Sequence, residues 1–205
     1  MSDSPGRRDS AASSGEFGAL VAGFARRMRI PYLVERHDAT AIMGLFAFVN
    51  GLISIGLMSM AALVTGSPFI FPSLGPTAFL LFYTPTAPAA SPRNTVFGHL
   101  IGALSGYLAL LVFGLHADPP ALASQVSAGR VGAAALSLAL TAGLMVWWRV
   151  PHPPAGATTL IVSLGILRTP THLAVLMLAV VLLTVQGLVI NRLAGIDYPR
   201  WHPRA

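Results

Sequence analysis

Between Asp38 and Asp118, and again between Asp118 and Asp197, the chain carries no acidic residue, and long apolar runs fill both intervals. A carboxylate in hydrocarbon is costly, so stretches this long without one can enter a bilayer where the sequence of an ordinary domain cannot. Of the 205 residues, 54% are hydrophobic and 10% charged, which is too apolar and too poor in charge for a water-soluble domain. In lipid every backbone polar group needs an internal partner, and the helix is the structure that supplies one locally. The fold class that follows is all-α, a polytopic transmembrane helical bundle embedded in a lipid bilayer.

Four runs, residues 41–64, 96–113, 131–148 and 172–190, come close to the roughly 20 residues that a bilayer core requires. Two more, residues 69–83 and 155–167, are shorter and begin in Pro and Gly, which predicts broken or partly unwound crossings. Laid over one another, Phe71-Pro72-Ser73-Leu74-Gly75-Pro76-Thr77 and His152-Pro153-Pro154-Ala155-Gly156-Ala157-Thr158 place Pro, Gly and Thr at matching positions. Each lies between two long helices, so the chain divides into membrane repeats at 39–115 and 129–192 joined by a connection at 116–128. Residues 1–16 are polar and predict a disordered tail. Residues 17–38 predict an interfacial amphipathic helix and linker, with Phe17, Leu20, Val21, Phe24 and Met28 at helical spacing, and residues 193–205 form a C-terminal tail.

Charge placement sets the topology. All thirteen basic residues are Arg, and there is neither Lys nor Cys. With six crossings, Arg93, Arg149, Arg192, Arg200 and Arg204 share the cytoplasmic side with the N-terminus, and the Arg-free connection carrying Asp118 lies outside; Arg168 is the exception and Arg130 sits at the boundary. Four crossings with two re-entrant segments would put Arg93, Arg149 and Arg168 outside. Six fit better, and three crossings per unit make the repeats inverted relative to each other. The expected location is a bacterial cytoplasmic membrane with both termini cytoplasmic. The charge of +6 therefore reads as orientation, and no stripe of basic and aromatic residues points to nucleic acid.

The segment from Val150 to Thr159 is the most unusual in composition. Pro153 and Pro154 hold its start extended, Gly156 leaves room for a close approach, and Thr158 and Thr159 stand beside a helix start. Free N–H groups there would form a donor-rich, positive end suited to an anion. Gly75, Pro76 and Thr77 repeat that chemistry, and tight helix packing is the competing explanation of both motifs. His99 lies inside a span and His152 at a boundary; either can touch a solute, shuttle a proton, or hydrogen-bond for structure alone. Asn50, Asn94 and Gln186 are amides in or near spans, and Gln186 suits helix-to-helix bonding. The lack of carboxylates disfavours a cation path and favours an anion or a neutral solute. Neither a catalytic carboxylate pair, nor a nucleophile elbow, nor a phosphate loop is present, so no enzyme activity is expected. No cofactor is expected, and no metal at His99, His152 and His172, which lack an accompanying acidic or thiolate ligand.

The ordered set Phe71-Pro72-Ser73-Leu74-Gly75-Pro76-Thr77-Ala78-Phe79, Pro92-Arg93-Asn94 with Gly98-His99, and His152-Pro153-Pro154-Ala155-Gly156-Ala157 resembles the HPP family of integral membrane proteins, over roughly residues 36–200. Asn191-Arg192-Leu193 and Tyr198-Pro199 extend the resemblance. It implies a membrane transporter, with nitrite the substrate attributed to some members, and it implies four spans where the charge pattern favours six. Ser91 stands where the resemblance leads one to expect Gln, which bears on the substrate if that position touches it. The function expected is transport or channelling of a small monovalent anion, nitrite first, by a chain able to form a homo-oligomer. A non-transporting membrane scaffold is the alternative. The candidate substrate-binding residues are Gly75, Pro76, Thr77, Arg93, Asn94, His99, His152, Pro153, Pro154, Gly156, Thr158 and Thr159.

Overall fold

A computed structural model describes residues 29–203. The expected tail at 1–16 and residues 17–28 of the expected interfacial helix lie outside the described residues. A short helix α1 (Ile30–Val34) precedes α2 (Ala39–Thr65), α3 (Leu74–Tyr83), a single 3₁₀ turn (Pro88–Ala90), α4 (Pro92–Val112), a one-turn α5 (Ala121–Ser124), α6 (Ala128–Trp147), α7 (Ala155–Ser163) and α8 (Pro170–Leu193). Among the described residues there is no strand. Four helices, α2, α4, α6 and α8, are long and apolar enough to cross a membrane.

Each long helix starts at a residue chosen for the purpose. Asp38, Ser91, Ser127 and Thr169 accept the backbone N–H three residues on, and Pro92 and Pro170 fill the first helical position, where an N–H would have no partner. Ser91 is thus a helix cap, fully buried, bonded to the N–H of Asn94 at 3.4 Å. Gly66, in the left-handed conformation at φ 64°, ends α2 and turns the chain back. The short helices α3 and α7 lack a side-chain cap and, at 10 and 9 residues, extend only about 15 Å each.

Hydrogen bonds tie the helix ends into two groups. At one end the backbone of Arg93 meets Trp201, Ile30 meets Ala194, and the Arg93 guanidinium reaches the carbonyls of Arg149 and Trp148. The start of α2 and the end of α3 share this end, since Ala39 and Thr40 line one groove with Tyr83 and Thr84. At the other end Arg130 donates to the carbonyl of Ser163, and Ala121 N–H bonds to Leu164. The non-helical residues 67–73 and 148–154 therefore lead inward from opposite ends, and α3 and α7 each finish at the end opposite to where its segment began.

Most of the outward surface is apolar: Phe48 is 70% exposed, Leu63 79% and Trp147 75%. A soluble monomer rarely leaves patches of that kind uncovered, so the surface is built for lipid. Inward faces are narrow on α2, where Phe46, Asn50, Ser54 and Met58 recur every fourth residue, and wide on α4, the central helix, which packs against α6, α7 and α8.

Arg130 is almost fully buried, and among the described residues no carboxylate pairs with it. Its guanidinium instead holds carbonyls of Ser163, Asp118 and Pro119, and Arg168 holds those of Ala117 and Asp118. The two arginines that break the charge asymmetry thus tie down the connection between the halves and the end of α7, where a helix presents its negative pole.

The C-terminal tail folds back over the bundle. Tyr198 has no exposed surface and its hydroxyl donates to the carbonyl of Ala90, Arg192 reaches the carbonyl of Tyr198, and Trp201 meets Phe97 edge-on at 6.1 Å. Burial pushes the Tyr198 phenol up from its ordinary value, so it stays a neutral donor.

Candidate functional site

Where α3 and α7 begin, both face His99 on α4. The Nε2 of His99 lies 2.8 Å from Thr77 Oγ1, its Nδ1 2.7 Å from Thr158 Oγ1, and its Nε2 3.2 Å from Nε2 of His152. The Nδ1 of His152 in turn lies 2.8 Å from the carbonyl oxygen of Ala89. None of these four side chains has exposed surface.

Counting donors fixes the protons. A carbonyl only accepts, so His152 carries its proton on Nδ1 and, when neutral, offers a lone pair at Nε2. Two lone pairs cannot face each other at 3.2 Å, so His99 carries its proton on Nε2. Thr77 gives its hydroxyl proton to Ser73 O at 2.8 Å, so its oxygen shares the single Nε2 proton of His99 with Nε2 of His152. Thr158 then donates to Nδ1 of His99. Every member of the cluster has a partner, as a buried polar network requires if it is to be stable.

Glycines make this approach possible. On α4, Gly98, Gly102 and Gly106 face α7 at a spacing of four; a Cβ added to them would sit 2.5 Å from Cβ of His152, 2.7 Å from the Ala155 carbonyl oxygen, and 2.7 Å from Cβ of Val162, respectively. Helices pack this closely only across small residues. Beside α7, Thr159 meets Thr141 of α6 at 2.8 Å and donates to Ala155 O. A groove of about 500 Å³ at the Arg149 end has Met145, Pro151, His152 and Pro153 in its wall. A second groove of about 540 Å³, lined by Phe97, Leu100, Leu104 and Leu140, faces outward between α4 and α6.

The structure brings together Thr77, His99, His152 and Thr158 from the expected set, with Pro154 and Thr159 buried alongside. Gly75, Pro76 and Pro153 are exposed on the bundle's outside. Gly156 makes no tight approach, since a Cβ there would meet only Leu138 at 3.7 Å. The expectation of free N–H groups at the second helix start does not hold: those of Ala155, Gly156 and Ala157 bond to the carbonyls of His152, Pro153 and Pro154, because the Pro-Pro start winds into a tight turn. Arg93 and Asn94 stand six and five residues before His99, at the end of the bundle. Arg93 caps the end of α6, and Asn94 donates to Pro88 O at 2.9 Å, holding the 3₁₀ turn. Gln186, expected to bond helix to helix, has a buried amide with no hydrogen-bond partner among the described residues, while Asn191 does that job by donating to Leu81 O of α3. The three-glycine stripe was missed, although its G-x-x-x-G-x-x-x-G spacing is visible in the sequence.

Two curated transmembrane proteins of Dictyostelium discoideum are similar to this chain. One is 31% identical over 94 residues, covering 46% of this chain and 30% of its own length. The other is 35% identical over 95 residues, covering 45% and 27%. The matches thus span less than a third of those relatives, whose names state only that they are transmembrane proteins. No solved structure matches. The description of the HPP transmembrane region fits residues 36–199, a range that takes in the glycine stripe, both broken segments and the histidine pair. The chain belongs to the HPP transmembrane family and is an integral membrane protein.

Proposed function

We propose that the protein carries a small monovalent anion, nitrite foremost, across the membrane, with passage controlled where the two broken segments meet. The observation that carries this reading is the convergence of Thr77 and Thr158, one hydroxyl from each short helix, on the single imidazole of His99. Hydroxyls can turn from their present acceptors to a passing anion. Neutral donors grip it weakly enough for release, and carboxylate-free spans do not repel it. Nitrite uptake into proteoliposomes tests the proposal. Thr77→Val and Thr158→Val, which keep the volume and remove one hydroxyl, should each weaken nitrite affinity by about 1 kcal/mol, several-fold. Wild-type protein that gives no protein-dependent flux under an anion gradient or a membrane potential would make the cluster a packing device of a membrane scaffold.

The same reading includes two inverted three-crossing repeats in a bacterial cytoplasmic membrane, with both termini cytoplasmic. Thr77 and Thr158, Leu81 and Val162, and Gly106 and Gly187 are each separated by the same 81 positions. Gly106 lies against Val162, and Gly187 against Leu81, so each repeat's third helix packs on the other repeat's short helix. Arg29, Arg36, Arg93, Arg149 and Arg192 gather at one end, and the two arginines at the other are held by carbonyls. Because the chain has no Cys, introduced ones report cleanly. Exposed His37 and Thr86, changed to Cys, should react with an impermeant thiol reagent from one side, and Ser124→Cys from the other. Labelling of Ser124→Cys from the same side as His37→Cys, with Thr86→Cys labelled from the other, would instead favour four crossings; Ser91 is too buried to serve.

A further inference from the structure

We infer that the His99–His152 pair takes up one proton together with the anion, so that the two cross as a neutral pair. The inference rests on the anion-transport reading and adds the ion that accompanies the substrate. Its basis is the proton order of the cluster. His99 holds a proton on Nε2 and accepts one at Nδ1 from Thr158, and His152 offers a lone pair at Nε2, 3.2 Å away. An incoming proton adds to Nδ1 of His99 once the Thr158 hydroxyl turns aside. The Nε2 proton of His99 then passes to Nε2 of His152, so that one N–H bond forms and one breaks on His99 while one forms on His152. The transfer line is hydrogen-bonded from Thr158 to His152. A second extra proton would set N–H against N–H across 3.2 Å, so the pair holds one.

The surroundings decide what balances that charge. Residues 39–65 and α7 have no titratable side chain; α3 has Tyr83 at its end, α6 has Arg130 at its start, and α8 has His172 and Arg192 near its ends. On α4 itself the others are Arg93, bonded to the carbonyls of Arg149 and Trp148, and Tyr107; in the tail, Tyr198 donates to Ala90 O. Among the described residues no carboxylate is hydrogen-bonded to either imidazole, so the charge that neutralises the pair is one brought in with the proton. A lone charge of either sign is expensive in so dry a place, and each therefore admits the other.

The test is nitrite uptake by proteoliposomes that hold a pH dye, at membrane potentials clamped with potassium and valinomycin, with the signal of protein-free vesicles subtracted. The expected result is acidification of the lumen in step with nitrite entry, at a rate independent of the clamped potential. His99→Gln and His152→Gln should each lose the protein-dependent acidification. Nitrite entry that rises with an inside-positive potential and leaves the lumen pH unchanged would overturn proton coupling while leaving anion transport standing. Absence of any protein-dependent nitrite entry would remove both.

Discussion

Gly102→Val should leave little folded protein to extract from the membrane. The first atom of any side chain there would sit 2.7 Å from the Ala155 carbonyl oxygen and 2.9 Å from Thr159 Oγ1. The carbonyl belongs to the backbone of α7 and cannot rotate away, so α4 and α7 would have to separate along the whole stripe from Gly98 to Gly106. Overpacking of a core by a few methylenes costs about 1–3 kcal/mol, and a displacement of two helices exceeds that range. Separation would also pull Thr158 from His99 and strand both polar groups. Gly156→Ala is the control, because its Cβ would find ordinary contact with Leu138 at 3.7 Å and should leave stability nearly unchanged. Thermal melting and size-exclusion profiles in detergent separate the two. A monodisperse Gly102→Val protein with the melting temperature of the wild type would mean that α4 and α7 are less closely packed than described.

His99→Leu should abolish transport and destabilise the protein as well. Leucine leaves two buried groups, Thr158 Oγ1 and His152 Nε2, without a partner, while Thr77 Oγ1 keeps its bond to the Ser73 carbonyl. Leaving a buried polar group unpaired costs about 1–3 kcal/mol, so two of them remove a large share of the stability of a typical domain. His99→Gln keeps both a donor and an acceptor at similar reach and should fold. Its nitrite flux distinguishes a structural imidazole from a working one: flux equal to the wild type in His99→Gln would assign His99 to structure alone. Flux near wild type in His99→Leu would place the path of the anion elsewhere.

The four long helices were legible because two strong signals coincide in them, a carboxylate-free apolar run and a capping residue at its start. Asp38, Ser91, Ser127 and Thr169 stand within a few residues of the boundaries read from hydropathy alone. The short helices were also legible, as apolar runs cut by Pro. Their function was less so. Composition marks Thr77, His99, His152 and Thr158 as candidates, but which hydroxyl reaches which ring nitrogen depends on how deeply each connecting segment dives before it coils. The free N–H groups expected at Gly156 vanish because a Pro-Pro start can wind into bonds three residues long, a choice that leaves no trace in periodicity. Arg93 is a candidate as part of the Pro92-Arg93-Asn94 motif; that its guanidinium, from the first turn of α4, bonds the carbonyls ending the neighbouring helix is not visible in the sequence. Arg130 was read as a boundary charge, and its burial follows from a partner loop whose carbonyls the sequence cannot point.

The tail that closes over the 3₁₀ turn bears on the order in which the ribosome supplies the parts. Ala89 and Ala90 hold His152 and Tyr198 by adjacent carbonyls, yet Tyr198 is made 108 residues after Ala90 and His152 is made 63 residues after Ala89. When α4 first leaves the translocation machinery, the glycine stripe faces no α7 and the imidazole of His99 has only Thr77. An unfinished chain must keep these polar atoms among water, lipid headgroups or a chaperone until the second half arrives. A stop codon anywhere between 113 and 152 would therefore yield a hydrophobic fragment with an unmet intramembrane histidine, a form that membrane quality control can recognise and degrade.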